Sequence, residues 1–266
     1  MNRPTETNGG FLRRLAGRGV FIYPILAVLI VWECVARFGG FPPTMLPPFS
    51  VVAGQFVSLV ISGELIVVTA VTLERAAIGL AIAILIGVPV GLAMSRSKVA
   101  KWFFEPLVSF GFSTPTITLL PVFILWFGTG YLSEVLLVAL SCFFTIALST
   151  YDGAKNVSTV IVWSAQAMGT RERDLPHRIV LPAAITFIFA GIRVALPLAV
   201  IIAVLAEMIG GGGGLGYMLM YGYRFLDAPS AFAALLAILL LGLLIDQALL
   251  WSRRIFLPWE ADAYEK

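Results

Sequence analysis

Apolar runs long enough to cross a bilayer alternate along the chain with short polar breaks, and one break is much longer than the rest. The first run is Val20–Phe38. No small-residue cleavage site follows it and more runs come after, so it reads as an uncleaved first helix. Gly39–Pro48 holds Pro42, Pro43, Pro47 and Pro48 and cannot be helical. Ser50 is placed to cap a helix over Val51–Ile61, which is too short to span. A long run, Glu64–Met94, has its apolar core at Ala76–Met94, with Pro89 inside it. A third span is predicted over Pro106–Phe127, a fourth over Leu132–Thr150, a fifth over Ala183–Met208 and a sixth over Ser230–Trp251. Each lies near the ~20 residues that a bilayer requires. The pattern predicts an all-α polytopic membrane protein of about six transmembrane helices.

The long break is a polar island, Tyr151–Pro182, carrying Asp152, Lys155, Arg171, Glu172, Arg173, Asp174, His177 and Arg178. In its first half Val157, Val160, Ile161, Ser164, Ala165 and Met168 recur at helical spacing. Gly169 stands where a helix end favours positive φ. Thr170 is placed to cap a second short helix, with Pro176 bending it, and Leu181-Pro182 closes the island. The island has the form of a docking surface, since it holds no cluster of nucleophile, base or metal ligands.

Composition agrees with the pattern: 59% of the 266 residues are hydrophobic and 12% charged, against about 25% charged in soluble domains. The placement of basic residues gives the orientation. With the N-terminus inside, the inner side carries Arg3, Arg13, Arg14, Arg18, Arg96, Lys98, Lys101, Lys155, Arg171, Arg173, Arg178, Arg253, Arg254 and Lys266. The outer side carries Arg37, Arg75 and Arg224, and Arg193 falls within the fifth span. That bias puts both termini and the island in the cytoplasm. The organisation read from the chain is a cytoplasmic tail at 1–19, a first helix and outer segment at 20–62, a core of five spans at 63–251 and a cytoplasmic tail at 252–266.

Little catalytic chemistry is present. The two cysteines, Cys34 and Cys142, lie in apolar runs and are expected to be buried small side chains. His177 is the only histidine and cannot by itself form a metal site. Gly210–Gly214 has no lysine after it and reads as a flexible outer turn rather than a phosphate cradle. Glu74 and Arg75 are expected to pair with each other or with water. Candidate translocation-pathway residues are Thr114 and Thr116, which lie among prolines, together with Arg193 and Glu207, which are ionisable groups within or at the end of a span.

The spacing inside the island resembles the cytoplasmic loop of membrane subunits of bacterial binding-protein-dependent ABC importers. The family pattern is Glu-Ala-Ala, three residues, Gly, nine residues, Ile, one residue, Leu-Pro. Ala165, Gly169, Ile179, Leu181 and Pro182 match it in register, Ser164 replaces the first alanine and Trp163 replaces the glutamate. Thr72-Leu73, Arg75 and Gly79 resemble the start of the family's core. Leu125-Trp126-Phe127-Gly128, Gly191, Arg193, Ala206-Glu207 and Gly214-Leu215-Gly216 resemble the branch importing nitrate, sulfonates, taurine and bicarbonate.

The resemblance implies a type I importer permease in the bacterial inner membrane, with Trp163, Ser164, Ala165, Gly169, Ile179, Leu181 and Pro182 coupling it to an ATPase. It implies two copies of a cytoplasmic ATP-binding subunit, an extracytoplasmic solute-binding protein and a second copy of this chain, with no nucleic acid involved. The transported solute would be small and anionic. The chain would bind no cofactor and would not be an enzyme itself; ATP would be used by the partner, since no Gly-rich loop ending in Lys-Ser or Lys-Thr occurs here. The rival reading is a secondary transporter or channel of six helices. It lacks support from an internal repeat or a proton-relay set.

Overall fold

In the computed structural model, residues 9–256 other than 173 are described, with side chains described for 23–249 and 251 except 173 and 177. Ten α-helices form along them: α1 (Gly9–Phe38), α2 (Phe49–Ile61), α3 (Glu64–Arg96), α4 (Lys98–Ser113), α5 (Leu120–Phe127), α6 (Tyr131–Lys155), α7 (Thr159–Ala167), α8 (Leu181–Gly210), α9 (Leu215–Arg224) and α10 (Ala228–Phe256). Among the described residues, four helices are long and apolar enough to cross a membrane, and the bent pair at 98–113 and 116–127 meets the same condition only when its two parts are taken together. The predicted first span at 20–38 falls inside α1, whose side chains are described only from Tyr23 onward. Most of the 1–19 and 252–266 tails, with Arg3 and Lys266, lies outside the described residues, as does Arg173.

The core is built on α3, α6 and α8, with α6 the most enclosed of the spans. Small residues let these helices approach closely, as expected where lipid supplies no hydrophobic drive between helices. A Cβ at Gly79 would lie 2.6 Å from Val138 Cγ1, and one at Gly91 would lie 2.6 Å from the Ala147 carbonyl. Between α8 and α6, a Cβ at Gly191 would lie 2.6 Å from Ser149 Cβ. Leu137, Val138, Cys142 and Ile146 of α6 fill the space between, together with Ala195, Ala199 and Ala203 of α8. Pro89 and Pro197 sit inside α3 and α8 without ending them.

Four local expectations are corrected. The predicted third span is not one straight helix. It begins at Lys98, with Ser97 Oγ capping α4 by accepting from Ala100 N at 3.2 Å, and it turns through 98° between Ser113 and Thr116. The cause is local: Pro115 disfavours helical backbone at the preceding residue, and Thr114 is extended at φ −91° and ψ 132°. A 3-10 turn at Thr116–Leu119 then leads into α5.

Ser50 does not cap α2 but lies in its first turn. Its backbone N–H donates to Glu33 Oε2 at 3.0 Å, and Arg37 Nε donates to Glu33 Oε1 at 2.6 Å, tying α1 to α2. Thr170 starts no separate helix. Pro176–Val180 form a π-helical stretch that runs straight into α8, so Leu181 and Pro182 form the first turn of a membrane helix. Cys34 is exposed, whereas Cys142 is buried with its Sγ 3.4 Å from the Ala195 carbonyl; both are free thiols.

Candidate functional site

Three features carry the polar chemistry of the chain: the island, a cavity at the broken helix, and a buried ionic cluster.

In the island, α7 ends in a Schellman arrangement. The N–H of Thr170 donates to the Ala165 carbonyl at 3.0 Å, and that of Gly169 to the Gln166 carbonyl at 2.9 Å. Gly169 has φ +90°, a conformation that costs any residue with a Cβ. The sequence-predicted loop residues separate by environment. Ala165 is buried, Leu181 and Ile179 are half-buried, and Trp163, Ser164, Gly169 and Pro182 are exposed. Val160, Ile161, Trp163 and Met168 leave an apolar surface facing outward, with Trp163 66% exposed. The base of the loop is anchored by Ala154, Val180, Ala184 and Ile188, which pack together. The side chain of His177 lies outside the described residues.

At the broken helix, Thr114, Thr116, Ser141 and Thr145 line a cavity of about 410 Å³, closed on its apolar side by Val194, Leu198 and Ile202 of α8. Thr116 and Ser141 share a hydrogen bond at 2.5 Å, and Ser141 Oγ donates to the Leu137 carbonyl at 2.8 Å. Since the Ser141 proton is used there, Thr116 donates to Ser141. Thr114 Oγ1 donates to the Phe110 carbonyl at 2.7 Å, the bond to its own helix that a threonine beside a break can make. The structure thus brings Thr114 and Thr116 into one cavity. Arg193 and Glu207 do not line it. Arg193 is half-buried on α8, without a partner among the described residues.

Glu207 belongs to the ionic cluster and is wholly buried. Arg75 does not pair with Glu74. Its Nη1 donates to Glu207 Oε1 at 3.0 Å and to the Gly213 carbonyl at 2.8 Å, and its Nη2 donates to the Gly212 carbonyl at 2.8 Å. Glu134 Oε2 lies 2.9 Å from Nη1, within ion-pair range. Thr72 Oγ1 donates to Glu207 Oε2 at 2.9 Å and accepts from the Leu215 N–H at 2.9 Å, while the Gly216 N–H donates to Glu207 Oε2 at 3.0 Å. Glu74 instead accepts from the Tyr131 hydroxyl at 3.2 Å.

The expected flexible turn at Gly210–Gly214 is therefore held fast. Gly211 to Gly214 all have positive φ, and a Cβ at Gly214 would collide with the Glu207 carboxylate. Glu134 and the partnering of Arg75 had no signature along the chain, because the residues that meet are far apart in sequence. Ser141 and Thr145 were equally silent, although their spacing of four does put them on one face of α6.

Comparison with known proteins places this architecture. The model of the family described as "Binding-protein-dependent transport system inner membrane component" matches residues 79–256. The formylaminopyrimidine transport permease protein ThiX of Halalkalibacterium halodurans is 33% identical over 88% of this chain and 93% of its own length. The taurine transport system permease protein TauC of Escherichia coli is 30% identical over 89% of this chain and 88% of its own. The putative aliphatic sulfonates transport permease protein SsuC of Bacillus subtilis is 28% identical over 98% and 96%. Among solved structures, the inward-facing MetNI methionine ABC transporter superposes with TM-score 0.64 at 21% identity, covering 72% of this chain and 96% of that one. At that identity the likeness speaks for the fold, a type I importer permease. The chain belongs to the binding-protein-dependent transport system inner membrane components, the permease subunits of ABC importers.

Proposed function

We propose that this permease conducts a small anionic solute of the sulfonate or taurine kind and is driven by an ATPase docked on residues 151–182. The carrying observation is α7. It is a short helix capped at Gly169, with Ala165 buried against the body and Trp163, Val160 and Met168 turned outward. An apolar face of this kind on an otherwise polar loop suits a protein partner. The positive-inside bias supports a cytoplasmic position for that face, where an ATPase would be. The relatives named for aliphatic sulfonates and taurine favour the solute class.

In this reading two copies of the chain enclose the pathway, each engaging one ATPase subunit, and a binding protein delivers solute to the outer face. Nucleotide binds the two arrangements of the assembly with different affinity and so drives alternating access. Thr114 and Thr116 line the route where the third span breaks. Arg193 attracts the anion, and Glu207 acts through the glycine turn that it holds.

The test is a mild-detergent pull-down of the tagged chain, with native mass for stoichiometry. Recovery of an ATPase subunit in equal copies, lost in Gly169 and Leu181 variants, is the expected result. Recovery of the chain alone, in several detergents and with ATP present, would refute the docking.

A further inference from the structure

We propose that Thr145 is a solute-contacting residue of the permease, the hydroxyl that donates to the oxyanion of a small sulfonate-like solute in the cavity at the broken helix. This inference rests on the translocation reading above and adds a residue and a ligand chemistry to it.

The argument is an accounting of protons. Four hydroxyls line the cavity. Thr114 gives its proton to the Phe110 carbonyl, Ser141 gives its proton to the Leu137 carbonyl, and Thr116 gives its proton to Ser141. Thr145 is only 6% exposed, and its hydroxyl has no hydrogen-bond partner among the described residues. Among the described residues the hydroxyl oxygen sealed from both water and protein is that of Thr150, not that of Thr145, so the Thr145 hydroxyl keeps its proton unspent and stays open to a ligand. Here the space it faces is the cavity.

The backbone around that space is irregular, at 114–119. Irregular backbone at membrane depth is tolerated where it borders a water-filled space or protein, not lipid chains. The rest of the wall defines what fits. No charged side chain lines it, and Val194, Leu198 and Ile202 present hydrocarbon opposite the hydroxyls. A short alkyl group against α8 with an oxyanion toward Thr145 satisfies both sides. A neutral donor holds the anion without fixing it as a lysine would, which suits a site that must also release its solute.

Two measurements test this, both on the whole importer, permease with ATPase subunit and binding protein, in proteoliposomes. The first is thiol accessibility in a C34S background. T145C is exposed to the anionic reagent 2-sulfonatoethyl methanethiosulfonate and to lipid-soluble N-ethylmaleimide. T150C, whose position is fully buried and off the cavity, serves as control. Modification of T145C by the anionic reagent, with T150C spared, is expected. No modification by the anionic reagent overturns the proposal, and labelling by the maleimide alone assigns the cavity to lipid chains.

The second is ATP-dependent uptake of taurine and ethanesulfonate. T145V, which removes the hydroxyl at nearly constant volume, is expected to lower uptake efficiency about ten-fold, the size of one hydrogen bond to a charged group. T145S is expected to restore it. T145V working as well as wild type overturns the proposal. If the wild-type importer takes up neither probe, the sulfonate reading of the solute falls, and the anionic-reagent result alone decides the role of Thr145.

Discussion

Arg75 Nη1 and Glu207 Oε1 meet at 3.0 Å, with the two side chains 3% and 0% exposed. One comes from the first half of α3 and the other from the last turn of α8, so the contact joins two core helices and the glycine turn that follows α8. Glu134, from the first turn of α6, makes it a three-helix junction. Two carboxylates share one guanidinium, which also satisfies the carbonyls of Gly212 and Gly213. A buried ionic group of this kind contributes little net stability compared with apolar packing. It is costly to break, because the remaining partner is left buried and uncompensated.

Removing the arginine should therefore cost much more than removing a single hydroxyl. R75M leaves Glu134 and Glu207 buried without a cation, and a loss of about 3–5 kcal/mol is expected. T72V removes the bonds to Glu207 and to the Leu215 N–H, with a loss of about 1–3 kcal/mol. Thermal unfolding of the detergent-purified protein should place the variants in the order wild type, T72V, R75M. An R75M midpoint equal to that of wild type would mean the cluster has no such role.

The glycine turn separates strain from collision. Gly40 and Gly214 both have positive φ, +72° and +94°, but only Gly214 has something in the way. G40A should cost about 1 kcal/mol, the conformational penalty alone. G214A adds a clash with the Glu207 carboxylate and should displace the ionic cluster. Equal midpoints for the two variants would contradict the close approach at Gly214.

The two thiols offer a check on packing that needs no engineered change. Cys34 is exposed and Cys142 has no exposed surface. N-ethylmaleimide applied to the folded protein in detergent should add one adduct per chain, on Cys34, with Cys142 reacting only after denaturation. Peptide mass spectrometry reads the site directly, and early modification of Cys142 would show the α6–α8 contact to be loose.

Features governed by local rules were legible along the chain. Spans four to six were found with their starts within two residues, while Thr150 and Trp251 fall short of the ends of α6 and α10 at Lys155 and Phe256, because run length and hydropathy are local quantities. Gly169 was legible too, since a left-handed helix end is built from neighbouring bonds. The 98° break was missed because hydropathy does not register direction, although Pro115 had already excluded helical backbone at Thr114. Arg75 was misassigned for a different reason. Adjacent residues on a helix point about 100° apart, so Glu74 faces Tyr131 while Arg75 turns inward. Its true partner is 132 positions away, a distance at which only packing makes the pairing visible.

If an ATPase docks on the loop as proposed, Trp163 is the residue expected to carry the contact. The related pattern carries a glutamate there, so the proposed docking would replace a charged contact by an apolar one. Trp163 is 66% exposed and makes no bond that the fold needs, so its loss should leave the unfolding midpoint unchanged. Its exposed face continues into Val160 and Met168, and an aromatic at the centre of such a patch is the residue type that most often dominates an interface. W163A should therefore weaken association with the ATPase subunit about ten-fold or more, measured by titrating that subunit onto the purified permease. W163F should retain most of the affinity, since it keeps a ring in the pocket. W163E should behave like W163A if the partner's pocket has become apolar, and like wild type if the partner still presents a cation. An unchanged affinity in W163A would remove α7's outward face from the docking surface and shift the search to the exposed charges Arg171, Glu172 and Arg178.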